Sequence, residues 1–136
     1  MITVATCFWS ANRNSFDTSS HYSESDVEKL YRGFKRNLSV PFRFVCFSEK
    51  LRSYCEPIEQ ERLSAAVPDY GSMIEPFRLN EPTIIVGLDT IVTGNCDHLA
   101  AYCIGADRIA VPRVPFYPDK LCNGVVLAPA GNGWFW

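Results

Sequence analysis

The sequence predicts an α/β domain, an open and mostly parallel sheet with helices on its faces. Three observations carry that reading. A β-branched, apolar segment, "ITVATCF", is followed by the clearest helix signal in the chain and then at once by a second apolar segment, "PFRFVCF". Strand, helix and strand in that order call for a parallel pair joined by a right-handed crossover. A third run, "TIIVGL", is apolar throughout, as strands buried on both faces of a parallel sheet are.

Taken in order, "ITVATCF" is the first strand, and "ANRNSFDTSSHYS" is a polar, turn-rich loop long enough to suggest function as well as connection. In "SESDVEKLYRGFKRNL", Ser23 is placed to cap a helix and Asp26 sits three residues on. Val27, Leu30, Tyr31 and Phe34 then repeat at helical spacing and form one apolar stripe. Pro41 marks the start of the second strand. The stretch from Glu49 to Pro82 is broken by Pro57, Pro68 and Pro76, leaving room for a short strand near Ile58 and a short helix near Ser72 to Leu79. After "TIIVGL", "CDHLAAY" predicts a short helix capped by Asn95, and "RIAVP" and "NGVVLAP" predict two further short strands.

A chain of 136 residues suits one domain with a modest core, residues 1–136. Its 47% hydrophobic and 21% charged residues belong to a folded globular protein and not a disordered one. A formal net charge of −2 gives no bulk electrostatic reason to expect nucleic acid. The cluster Arg32, Lys35 and Arg36 reads as the solvated face of the helix. No segment approaches the ~20 apolar residues of a membrane span. The first residues lack the basic start and cleavage site of a secretory signal, so the expected location is the cytoplasm. The six cysteines (Cys7, Cys46, Cys55, Cys96, Cys103, Cys122) then read as free thiols. With no CxxC pair and only His21 and His98 beside them, structural zinc is not expected. His98 reads as a surface or capping residue, and the "NLS" at Asn37 is a glycosylation acceptor in form only. Walker-type, GxSxG and GxGxxG motifs are all missing, and nothing in their spacing recommends a cysteine–histidine nucleophile pair.

One residue does not fit a buried strand. Asp89 falls where "TIIVGL" ends, and ligands of such sheets bind beyond the carboxyl ends of the strands. A carboxylate there needs a partner. Two are open from the residue alone: a divalent cation carrying a phosphate group, or turn amides in an Asx-turn running on from Asp89 to Thr90.

In order, "YRGFKRNLSVPFRFVCFSEKL", "GLDTIVTGNCDHLA" and "LCNGVVLAPAG" resemble the donor-binding half of a GT-A type glycosyltransferase, specifically the family 8-like proteins of bacteria and phages. The resemblance runs from Ile2 to about Gly131, and the order and spacing of the short motifs carry it. It implies that Asp89 is the second acid of a DxD motif and holds Mn2+ or Mg2+ against the diphosphate of a nucleotide sugar such as a UDP-hexose. It also implies that Thr6 to Trp9 border the nucleotide base, with Phe8 or Trp9 available to stack. Arg78 then lies near the phosphates, and Asn123 and Gly124 belong to a turn that approaches the donor sugar.

The chain departs from that pattern at three places. Gly87 stands where the first acid of DxD belongs, and Cys122 stands where the "NSG" turn has its asparagine. The second half of such domains, which builds the acceptor site, has no counterpart before "GNGWFW". The terminal Trp134, Phe135 and Trp136 are expected to pack on something, a second copy of the chain or a protein partner. Two functions follow: a metal-dependent glycosyltransferase working through Asp89, or a catalytically inactive binding or interaction module on the same scaffold.

Overall fold

The computed structural model describes residues 1–136. Seven strands and two α-helices follow one another in the chain. They are β1 (Ile2–Cys7), α1 (Glu24–Asn37), β2 (Phe42–Ser48), β3 (Ile58–Arg62), β4 (Thr83–Val86), α2 (Asp97–Gly105), β5 (Arg113–Val114), β6 (Tyr117–Leu121) and β7 (Val125–Ala128). A 3-10 helix, Tyr70–Leu79, precedes β4. The main sheet has the order β3-β2-β1-β4-β7. Its first four members are parallel, and β7 is antiparallel to β4. The fold class is therefore the expected one, a mixed and mostly parallel sheet with flanking helices.

The sequence pattern explains the layers. All of β1 and β4 is buried, as their unbroken apolar runs require. On one face Val4, Phe44, Ile84 and Val86 meet the stripe Val27, Leu30, Tyr31 and Phe34 of α1, and Ala100 and Cys103 of α2 complete that layer. Burying a side chain such as Phe34, 2% exposed, is worth about 2–3 kcal/mol. On the other face Cys7, Val45 and Phe47 meet Met73 and Leu79 of the 3-10 helix, while Ile85 and Val126 meet Phe77. The crossover through α1 runs from β1 outward to β2. The crossover through the 3-10 helix runs back from β3, past β2 and β1, to β4. Travelling in opposite directions, two crossovers of the same hand must lie on opposite faces, as these do.

Local signals account for the helix ends. The Asp26 carboxylate accepts the Ser23 backbone N–H at 2.9 Å, the predicted capping pair. Asn95 accepts the Asp97 N–H at 3.0 Å, and the Asp97 carboxylate in turn accepts both the N–H and the hydroxyl of Ser39, tying α2 to the α1–β2 turn. The 3-10 helix begins at Tyr70, earlier than expected, because Asp69 accepts the Gly71 N–H at 2.8 Å. Pro76 lies inside it, and Asn80 ends it in the left-handed region at φ 51°.

The predicted strand "RIAVP" is not one. Ala110 makes a single antiparallel bridge to Leu127, and the next pairing position is Pro112, which has no N–H to offer. The chain instead turns out into the hairpin β5–β6, most of it exposed. At the C-terminus Phe135 packs on Phe77 at 4.9 Å between ring centroids, and the Gly133 N–H donates to Asn80. Trp134 and Trp136 remain 75% and 50% exposed. No helix is long and apolar enough to cross a membrane.

Candidate functional site

The strand order has one switch point, between β1 and β4: the chain leaves β1 toward β2, while β4 lies on the opposite side. Loops diverge there, and a crevice at the carboxyl ends is the geometric consequence. A cavity of about 320 Å³ occupies that place. The end of β1 contributes Phe8 and Trp9, and the turn after β4 contributes Gly87, Leu88 and Asp89. Cys122, Asn123 and Gly124, just before β7, form a third side, with Tyr70 and Met73 of the 3-10 helix opposite. Asn14, Ser15, Ser19 and Tyr22 of the β1–α1 segment also line it.

Two backbone contacts bring the third side into place. The Gly124 carbonyl accepts the Gly87 N–H at 2.9 Å and the Thr90 hydroxyl at 3.3 Å. Thr90 N–H donates to the Gly87 carbonyl at 3.1 Å, so residues 87–90 form a turn with Asp89 at its apex. This turn closes through the backbone alone. The Asp89 carboxylate accepts no hydrogen bond, joins no ion pair and is exposed to solvent, so the Asx-turn alternative is not what holds it. The expectation that it needs a protein or metal partner is corrected: water can satisfy it. A Cβ built on Gly87 would lie 2.9 Å from Asp89 Oδ1. A larger residue at 87 would make the exposed Asp89 side chain rotate away from this position.

Asp89 is the only charged side chain lining the cleft. Burial pushes the Tyr22 phenol up from its ordinary range, and the nearby carboxylates of Asp89 and Asp26 push the same way. Tyr22 therefore stays a neutral hydrogen-bond donor beside Asp89 across the physiological range. Aromatic rings from Trp9, Tyr22 and Tyr70, above the buried edge of Phe8, make the rest of the cleft suited to a flat, partly apolar group.

Of the residues singled out from the sequence, Phe8, Trp9, Asp89, Asn123 and Gly124 meet in this cleft. Thr6 does not: fully buried, its hydroxyl donates to the Val86 carbonyl at 2.8 Å, fastening β1 to the end of β4 beneath the switch point. Arg78 does not line the cleft either. Its guanidinium donates to the Arg62 carbonyl at 2.6 Å and to Glu61 and Glu75, and it lies over the Phe47 ring. His98 is exposed on α2. Sequence reasoning marked the 11–23 segment by its length but not Tyr22 within it, and it missed Tyr70 and Met73. An aromatic flanked by polar turn residues carries no periodic signal.

The donor set limits which cation the cleft can hold. No three His, Cys, Asp or Glu side chains converge anywhere in the chain. The cleft offers one unpartnered carboxylate, which is enough for Mg2+ or Mn2+ only when ligand phosphates and water complete the shell. The residues fit an ion that arrives with its ligand and do not fit a closed resident site. Comparisons with protein-family models and with curated proteins give no match.

Proposed function

We propose that this chain is a GT-A-like glycosyltransferase or its donor-binding core, which takes up a nucleotide sugar of the UDP-hexose type with Mn2+ or Mg2+ at Asp89 and transfers the sugar to an acceptor. The observation that carries the reading is the unpartnered Asp89 carboxylate at the β1/β4 switch point, in a cleft that is otherwise aromatic and uncharged. Such a cleft would repel a diphosphate on its own, because its single formal charge is negative. A divalent cation inverts that, which makes ligand uptake depend on metal.

Within this reading Asp89 holds the ion, and the ion when bound offsets the charge that builds on the departing nucleoside diphosphate. Trp9 and Tyr22 offer ring faces to a base or sugar. The Tyr22 hydroxyl, kept protonated, donates to a ligand oxygen beside Asp89. Asn123 offers an amide at the opposite wall. The β1–α1 segment covers the cleft and limits the water that reaches the reacting bond.

The test is thermal stability with a nucleoside diphosphate, with and without Mn2+, for the parent and Asp89→Asn. At a hundredfold excess over Kd, a ligand of the folded state adds about 2.7 kcal/mol. The expected result is an upward shift that needs nucleotide and metal together and is lost in Asp89→Asn. Equal affinity in the variant overturns the role of Asp89. A second reading, a non-catalytic interaction module, draws on the exposed Trp134 and Trp136. It predicts self-association or partner capture that Trp134→Ala abolishes and Asp89→Asn leaves alone.

A further inference from the structure

The β1–α1 segment, which lines one side of the cleft, is tied at both ends to one side chain. The side chain of Arg52, in the β2–β3 connection, is 4% exposed, an unusual degree of burial for a guanidinium. It donates to the Ser10 hydroxyl at 3.1 Å, where the segment leaves β1, and to Glu24 at 2.8 Å, the first residue of α1, where the segment returns. It also donates to Ser48 at 2.7 Å and to both oxygens of Glu49 at 3.0 Å. Glu49 in turn accepts the Ser10 N–H at 3.1 Å. The face of the guanidinium lies 3.9 Å from the centroid of Phe8, a floor residue of the cleft.

Residues 11–23 therefore form a closed surface loop whose two ends are drawn together by one cation. The far side of the loop rests on the 3-10 helix region. Asn12 Nδ2 donates to the Pro68 carbonyl at 3.0 Å, and the Phe16 ring meets Tyr70 edge-on at 5.6 Å. Apart from these contacts the loop has little to hold it. Its 3-10 turn, Asp17–His21, buries no residue, and Phe16 is 66% exposed. A loop with so little buried area keeps its place by its ends.

We propose that Arg52 is a positioning residue for the cleft. By stapling Ser10 and Glu24 it holds the loop closed over the site, and by lying on Phe8 it fixes the floor from which Trp9 projects. The proposal rests on the cleft being the ligand site but not on which ligand it takes, so it can be tested without one. Lysine cannot substitute at this position, because a single ammonium lacks the planar fork that reaches Ser10, Glu24 and Glu49 together.

Cys122, half-buried in the cleft wall, is the reporter, and Cys55, exposed elsewhere, is replaced by serine throughout. The measurement is the iodoacetamide alkylation rate of Cys122 in the parent, Arg52→Lys, Arg52→Gln and the double variant Ser10→Ala/Glu24→Ala. The double variant removes only the two staples and leaves Arg52, Glu49 and Phe8 together, so it keeps the test valid if Arg52→Gln unfolds. Losing two side-chain bonds to a charged group should raise the opening equilibrium, and with it the labelling rate, about tenfold or more. Acrylamide quenching of Trp9, read with Trp134 and Trp136 replaced by phenylalanine, should rise in parallel. Guanidinium at millimolar concentration should slow labelling again in Arg52→Gln but not in the double variant. Labelling and quenching unchanged in a folded double variant would overturn the proposal. Failure of nucleotide to bind, with labelling accelerated as expected, would overturn the proposed ligand and leave Arg52 its role.

Discussion

Glu75 offers the sharpest quantitative test of the packing beneath the cleft. Its side chain is 1% exposed, yet its carboxylate is fully engaged. It accepts the Ser64 N–H at 2.9 Å, the Ser64 hydroxyl at 2.9 Å and Arg78 Nη1 at 3.2 Å. These bonds fasten the chain after β3 to the 3-10 helix that carries Tyr70 and Met73 to the cleft. Removing one partner of a buried pair typically costs about 3–5 kcal/mol. The lower end applies in Glu75→Ala, because Arg78 is 26% exposed and keeps Glu61 and the Arg62 carbonyl, while Ser64 is itself exposed and can turn to water. The expected loss is therefore about 3 kcal/mol, or about 10 °C in Tm for a domain of this size. Glu75→Gln keeps the shape and one acceptor oxygen, and the Ser64 hydroxyl can reverse to accept from the new amide. Its expected loss is only about 1 kcal/mol. Urea denaturation with an unchanged slope measures both. A loss below about 1 kcal/mol in Glu75→Ala, or equal losses in the two variants, would refute the claim that the buried charge is what binds these segments.

Two further outcomes follow from the same ledger of buried and charged groups. Native alkylation at pH 8 should modify Cys55 and Cys122 and spare the other four thiols, because burial pushes Cys46 and Cys103 up to about 11 and raises Cys7 and Cys96 as well. Mass spectrometry counts the adducts, and rapid modification of Cys103 would contradict the packing of α2. Stability should also fall on acidification. For Glu49, burial alone would raise its pKa, but the Ser10 N–H, the Arg52 fork and the Ser48 hydroxyl hold it down to about 2. A folded-state pKa below the unfolded value means stability is full above the ordinary carboxylate range and is lost as pH falls toward 2. Each such proton contributes up to about 1.4 kcal/mol per pH unit. Glu24 and Glu81 are lowered too and act in the same direction. Urea midpoints between pH 6 and pH 3 should fall less steeply in Glu49→Gln than in the parent, and equal slopes would remove Glu49 from the account.

What was legible in the chain tracks how its residues are held. Val27, Leu30, Tyr31 and Phe34 announce α1 because a helix against a sheet must repeat at its own period, and "TIIVGL" announces β4 because both its faces are covered. Asp89 stood out because a carboxylate in an apolar run needs a reason. The hairpin β5–β6 was invisible because it is mostly exposed, so nothing forces its residues to alternate. Tyr22, Tyr70 and Arg52 were missed for a different reason. Tyr70 meets Phe16, and Arg52, behind Phe8, meets Ser10 and Glu24, all distant in sequence; no local pattern encodes a partner 42 or 28 residues away, and Tyr22 lies in a polar turn with no periodicity. Arg78 shows the converse error: a basic residue at a plausible position is already engaged by Glu61, Glu75 and the Arg62 carbonyl.

Gly87 ties the cleft's shape to its electrostatics. A second acid at that position would sit two residues before Asp89, and its Cβ alone would come within 2.9 Å of Asp89 Oδ1. Two carboxylates crowded there, with no cation among the lining residues, would repel each other until an ion arrived. With glycine, the single carboxylate carries no internal bond to break, and on the proposed reading it would accept an ion delivered by a ligand. On that reading, a glycine and not a second acid at position 87 would give weak intrinsic affinity for metal and dependence on a phosphate-bearing partner. Titration of the parent with Mn2+ alone and with Mn2+ plus nucleoside diphosphate distinguishes that behaviour from a site that stores the metal by itself.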